Sequence, residues 1–206
     1  MNILYKMGDC LYINITNKCP CNCTFCIRHN GDSVLESGSL WFGGDEPTFD
    51  DVKNAFSDWN LADFREAVFC GYGEPTERLD LLCEVCDYIR SISDIKIRLN
   101  TNGLSDLIHG KSTADMLKGR VDTVSVSLNA PTSEEYLAIT KSKFGIESLD
   151  SVISFAKDCK NYVNDVMFTV VDVIGEEKIA ESKALCEKAG IPLRVREYVD
   201  QYQEKK

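Results

Sequence analysis

No stretch of this 206-residue sequence approaches the roughly 20 consecutive apolar residues that a bilayer span requires. No membrane partner is therefore expected. The opening run Met1-Asn2-Ile3-Leu4-Tyr5-Lys6-Met7-Gly8-Asp9 lacks the apolar core of a secretory signal, so the expected location is the cytoplasm. Basic residues are scarce, 23 Lys and Arg against 33 Asp and Glu, for a net charge of -10. An acidic surface repels phosphate backbones, so nucleic acid is not expected as a general partner. Histidine is nearly absent. His29 and His109 are isolated and are read as structural or solvated. There is no Pro-, Ser- or Gly-rich linker, no low-complexity tract and no repeat. One domain over residues 1–206, with a core of about 10–198, is the expectation.

Cysteine, by contrast, is abundant, with ten residues. In a chain of this size without a secretory signal, metal binding is a better reading than a disulfide framework.

The chain alternates strand and helix signals. Expected strands are 11–16, 67–70, 94–100, 122–128, 165–173 and 193–196, most of them stopped by Gly, Asn or Pro. Helical spacing joins Leu79, Leu82, Cys83, Cys86 and Ile89, then Val152, Phe155, Ala156 and Cys159, then Ile179, Ala180, Lys183, Ala184 and Glu187. Glu176 and Glu177 favour the start of the last helix, and Gly190 with Pro192 its end. Six strands joined by helical crossovers imply a parallel α/β fold. A partial β/α barrel and a doubly wound sheet both fit that count. In either, the site lies at the carboxyl ends of the strands.

Directly after the first strand comes Thr16-Asn17-Lys18-Cys19-Pro20-Cys21-Asn22-Cys23-Thr24-Phe25-Cys26. The spacing of Cys19, Cys23 and Cys26 sets three thiolates in one loop. Ferredoxin-type clusters take four cysteines. Three on a four-iron cube leave one iron open, as substrate-binding metals need. Cys21 is read as a bystander. The alternative is a zinc site built from Cys19, Cys21, Cys23 and Cys26, and with it a non-catalytic zinc- or iron–sulfur-binding module. Cys83 and Cys86 resemble a metal hook, but both fall on the apolar face of a helix, where a core role is expected.

These residues resemble the radical S-adenosylmethionine (SAM) superfamily. The cysteine loop is similar to its C-x3-C-x2-C motif, with Phe25 at the aromatic position near the adenine. Gly71-Tyr72-Gly73-Glu74-Pro75 resembles its GGEP motif, in which backbone and Glu groups receive the SAM amino group. Asn100-Thr101-Asn102-Gly103, then Ser125 to Ala130, and then Val171 to Gly175 are similar to later elements, each after an expected strand. More narrowly, the chain is similar to the small radical SAM proteins associated with TatD-type nucleases.

The resemblance implies a partial (β/α)6 barrel with parallel strands. It implies a [4Fe–4S] cluster on Cys19, Cys23 and Cys26, and SAM contacts from Phe25, Gly71, Gly73, Glu74, Asn100, Ser127, Asn129 and Val173. It further implies an enzyme that cleaves SAM reductively to a 5′-deoxyadenosyl radical, which abstracts hydrogen from a substrate, a small molecule or a peptide. The electron comes from an external reductant, flavodoxin- or ferredoxin-like.

A second GEP-like run, Gly43-Gly44-Asp45-Glu46-Pro47, has no strand before it. Thr48 and Asp51 read as a helix cap, and Glu46 as a helix-start residue. Arg28 and Arg78 are candidates for an anion, against a surface ion pair. Arg194 and Arg196 share one side of the last strand, which could be the barrel interior. Trp41 and Trp59 are read as packing residues. The chain ends about ten residues after the last strand, so no cysteine-rich domain with auxiliary clusters is expected.

Overall fold

The structure is a computed structural model that describes residues 2–29 and 38–198. Among these residues one seven-stranded sheet runs in sequential order. β1 (Leu4–Met7) pairs antiparallel with β2 (Cys10–Ile13). β3 (Glu66–Phe69), β4 (Lys96–Thr101), β5 (Thr123–Ser127), β6 (Asp165–Val171) and β7 (Leu193–Arg196) then follow, each parallel to its predecessor. A doubly wound sheet reverses its order at a switch point. This sheet does not reverse, which leaves the partial barrel.

The six parallel strands are those the sequence signals place. β1 is a correction, because the sheet holds seven strands and the first is antiparallel. Its signal is Gly8-Asp9, a two-residue hairpin turn with Gly8 at φ +60°.

Alternation sets the two faces. Leu11, Ile13, Ala67, Phe69, Ile97, Leu99, Val124, Val126, Phe168 and Val170 are fully buried and form the core with the helices. The other face carries Tyr12, Arg98, Asn100, Ser125, Ser127 and Thr169. Register aligns Asn100 with Ser125 and Met167, and Ser127 with Thr169 and Arg194. Arg194 and Arg196 thus share a face with Thr169 and Val171, as the alternation on the last strand suggests.

α1 (Phe49–Ala55) starts at a reciprocal cap, in which the Thr48 hydroxyl accepts from Asp51 N–H and the Asp51 carboxylate accepts from Thr48 N–H at 2.8 Å. α2 (Leu79–Ile92) buries Leu79, Leu82, Cys83, Cys86 and Ile89, so both cysteines are core residues. α3 (Ser105–His109), α4 (Ser133–Thr140), α5 (Ser148–Cys159) and α6 (Glu176–Ala189) complete the crossovers. α6 spans its expected limits. α3 and α4 lack a periodic stripe long enough to read.

Candidate functional site

The cysteine loop leaves the carboxyl end of β2 and is held at both sides. Asn22 N–H donates to Thr140 O at 2.8 Å and Thr24 N–H to Ile139 O at 2.9 Å, so the last carbonyls of α4 carry the loop. On the other side, Glu74 N–H donates to Lys18 O at 2.8 Å. A Cβ on Gly73 would lie 2.3 Å from Thr16 O and 2.7 Å from Lys18 O, and one on Gly71 would meet the Asn14 side chain at 2.0 Å. Both glycines therefore allow the loop to lie on the end of β3. Tyr72, between them, is buried beside Tyr5 and Leu40, with Trp41 edge-on at 5.1 Å.

Glu74 is buried, and both carboxylate oxygens are in use. Oε1 accepts from Thr76 N–H at 3.1 Å, Thr76 Oγ1 at 2.8 Å and Thr101 Oγ1 at 2.7 Å, while Oε2 accepts from Asn102 N–H at 2.6 Å. Burial pushes this carboxyl above the ordinary carboxylate range, and those donors pull it back only in part. Glu74 is thus a strut between the ends of β3 and β4.

Glu46 requires a correction. It is not a helix-start residue. Its Oε1 accepts from Thr16 Oγ1 at 2.5 Å and Asn17 N–H at 3.0 Å, and Lys18 Nζ lies 3.5 Å from Oε2. Burial alone would raise its carboxyl, but the Thr16 and Asn17 donors, with Lys18 and Arg78, hold it below the usual range. Arg78 Nη1 donates to the carbonyls of Ile15 and Pro47, so this guanidinium ties the end of β2 to the segment before α1. Arg28 donates to Cys21 O at 3.1 Å and Asn17 O at 3.4 Å. Its half-burial works against its charge, and the Cys26, Cys19 and Cys23 sulfurs more than compensate.

Among the thiols, Cys21 is buried and neighbours both Cys19 and Cys23. These neighbours, then burial, push the Cys21 thiol up. The Cys21 thiol alongside lowers Cys19 and Cys23. Asn102 Nδ2 stands 3.9 Å from both Cys19 Sγ and Cys21 Sγ. Among the described residues, no three Cys, His, Asp or Glu side chains are gathered as a metal-ligating set. The donor chemistry nonetheless fits a cluster, since three half-buried sulfurs share one pinned loop, two of them made acidic, with a guanidinium alongside.

A family model described as the radical SAM superfamily matches residues 13–188. The chain belongs to the radical SAM superfamily. Radical SAM enzymes bind a [4Fe–4S] cluster and SAM and need an external reductant, so the chain is an enzyme with these cofactors. It is 24% identical over 192 residues to a GTP 3′,8-cyclase of Clostridium perfringens (strain SM101 / Type A), covering 90% of this chain and 54% of that protein. It is 25% identical over 185 residues to a probable GTP 3′,8-cyclase of Methanothermobacter thermautotrophicus, covering 90% and 56%. The chain thus spans about half the length of these curated relatives. Native anSMEcpe with bound AdoMet matches with a TM-score of 0.59 at 22% identity, over 95% of this chain and 52% of that one. Methylornithine synthase matches at 0.60 and 14%, over 94% and 56%. These two likenesses show the fold.

In this radical SAM chain the other expected contacts fall at the same end of the sheet. Phe25 is half-buried in the cysteine loop. Ser127 and the Oδ1 of Asn100, which is buried without a partner, lie on the inner face. Asn129 follows β5 at φ +62°. Val173 departs from expectation, because β6 ends at Val171 and Val173 sits exposed on a 3₁₀ turn. Its neighbour Ile174 lines an apolar cleft with Ala130, Pro131 and Ile139. His109 is structural, with Nε2 2.8 Å from Thr76 O. Sequence reasoning missed Asn102, whose signal was its place in Thr101-Asn102-Gly103, and it missed the loop-holding role of Glu46. No helix among the described residues is long and apolar enough to cross a membrane.

Proposed function

We propose that Cys19, Cys23 and Cys26 hold the [4Fe–4S] cluster, and that SAM lies across the ends of β3, β4 and β5. The observation that carries this reading is the pinned cysteine loop, with its sulfurs beside Asn102 and Arg28. When bound, the cofactors supply reductive cleavage of the sulfonium and hydrogen abstraction. The chain's own residues position and enclose them. The Gly71 and Gly73 backbone, Asn100, Ser127 and Asn129 line the mouth as polar partners for SAM. Phe25, with the apolar cleft next to Val173, suits the purine. Glu74 serves by holding Asn102 and the loop in place, since both its oxygens already have donors.

Cys21 is buried whereas Cys19, Cys23 and Cys26 are half-buried, which supports a three-cysteine cluster over a four-thiolate zinc site. The substrate is a small molecule or peptide reaching the inner face, where Arg194 and Arg196 stand. The electron donor is flavodoxin- or ferredoxin-like. The seven cysteines outside the proposed ligands, none of them in a disulfide, support a reducing compartment, the cytoplasm. The cysteine loop and the run from Phe69 to Asp80 support placement with the TatD-associated group.

The test is anaerobic reconstitution with iron and sulfide, followed by reduction in the presence of SAM. A brown protein that releases 5′-deoxyadenosine supports the proposal. A colourless protein that retains zinc and cleaves no SAM overturns it.

A further inference from the structure

Tyr136 lies on α4 and is fully buried at 0% exposure, yet its hydroxyl has no hydrogen-bond partner. A buried hydroxyl without a partner forfeits the hydrogen bonds it makes to water in the unfolded chain. Phenylalanine would fill the same space without that loss. An orphan of this kind at a site calls for a partner that the bare protein does not supply.

The position of α4 indicates the partner. Its last turn carries the cysteine loop, through Asn22 N–H to Thr140 O and Thr24 N–H to Ile139 O. Lys143 N–H returns a bond to Pro20 O at 2.9 Å. Thr140 stands one turn after Tyr136 on the same face and donates to Tyr136 O at 2.7 Å. Tyr136 is buried in the same core cluster as Cys21, with Cys19 and Cys23 packed against that cluster. The titratable groups around its hydroxyl are Cys21, Cys23, Glu74 and Cys19. Burial first, and then these neighbours, keep the hydroxyl protonated, so it remains a donor.

We infer that the Tyr136 hydroxyl donates a hydrogen bond to a cluster-ligating sulfur, that of Cys23 before Cys19, and thereby raises the cluster's reduction potential. This rests on the proposal that the loop holds an iron–sulfur cluster. A donor on a ligating sulfur stabilises the reduced cluster more than the oxidised one, because the added electron increases the negative charge on the sulfurs. Tyr136 is then a positioning and tuning residue that never touches substrate.

The test compares wild type with Tyr136→Phe, each reconstituted anaerobically. Both should take up the same iron. A gain on reduction equal to one neutral hydrogen bond corresponds to about fivefold in the one-electron equilibrium. At 59 mV per tenfold, Tyr136→Phe should lower the midpoint potential by about 40 mV. In the apoprotein, where the hydroxyl has no partner, the unfolding midpoint should not fall. Loss of iron uptake by Tyr136→Phe, with the apoprotein equally stable, overturns the tuning role. Equal potentials in two loaded proteins overturn the inference and leave the cluster proposal standing. A less stable Tyr136→Phe apoprotein overturns it too, because the hydroxyl would then have a structural partner. A wild-type chain that takes up no cluster overturns both.

Discussion

The backbone N–H of Asn102 donates to Glu74 Oε2 at 2.6 Å, and this bond joins the end of β4 to the end of β3. Through it, Glu74 also sets the Asn102 side chain, whose Nδ2 faces Cys19 and Cys21. One carboxylate therefore links three elements of the site.

Glu74→Ala strands donors from Thr76, Thr101 and Asn102 in a buried space. Leaving such groups unpaired costs on the order of 3 kcal/mol or more. Chemical denaturation of the apoprotein should register that loss. SAM affinity should fall with it, because Asn102 and the loop lose their support.

Glu46→Gln should destabilise the apoprotein by about 2 kcal/mol at neutral pH, through weakened bonds to Thr16 and Asn17. The sign of its pH dependence follows from a carboxyl held below its ordinary value of 4.5. Its contribution is complete above that value and is lost as pH falls through the depressed folded value. The gap between wild type and Glu46→Gln in urea titrations should therefore close in acid. A gap that widened on acidification would contradict the assignment.

Cys19→Ala, Cys23→Ala and Cys26→Ala should each abolish uptake of about four irons, the [4Fe–4S] stoichiometry. Cys21→Ala should retain it. Iron analysis with visible absorbance checks all four variants. Loss of metal in Cys21→Ala would favour the four-thiolate alternative.

Ser127→Ala should raise the SAM dissociation constant about fivefold, the effect of one neutral hydrogen bond, with the cluster spectrum unchanged. Ser125 is more deeply buried on the same face, so Ser125→Ala should act on stability instead. Calorimetric titration of both variants decides between them. Unchanged affinity in Ser127→Ala with a clear loss in Ser125→Ala would place SAM one layer deeper.

The sequence by itself determined whatever depends on near neighbours along the chain. Apolar alternation marked six parallel strands and turned Val124, Val126 and Leu128 outward. Thr48 and Asp51 set the start of α1, and Gly190 the end of α6. The cysteine spacing brought three thiols into one loop, because ligands a few residues apart cannot separate far. The Gly8-Asp9 turn was also legible, although one short polar turn is a weak signal beside a run of hydrophobic strands.

Only the tertiary structure decided what each polar side chain does. Glu46 bonds to Thr16 across 30 residues, Glu74 to Thr101 across 27, and Asn102 reaches Cys19 across 83. Two GEP-like runs were told apart only by the strand that precedes one of them. One carboxylate braces the start of the cysteine loop, and the other braces the turn after β4. Tyr136 lies on α4, which has no periodic stripe long enough to read, so no signal along the chain marked it. A hydrogen bond depends on a few tenths of an ångström between atoms that folding brings together. Local periodicity reports only which face a residue occupies, so the partners of Glu46, Glu74 and Asn102, and the unpartnered hydroxyl of Tyr136, followed from the fold alone.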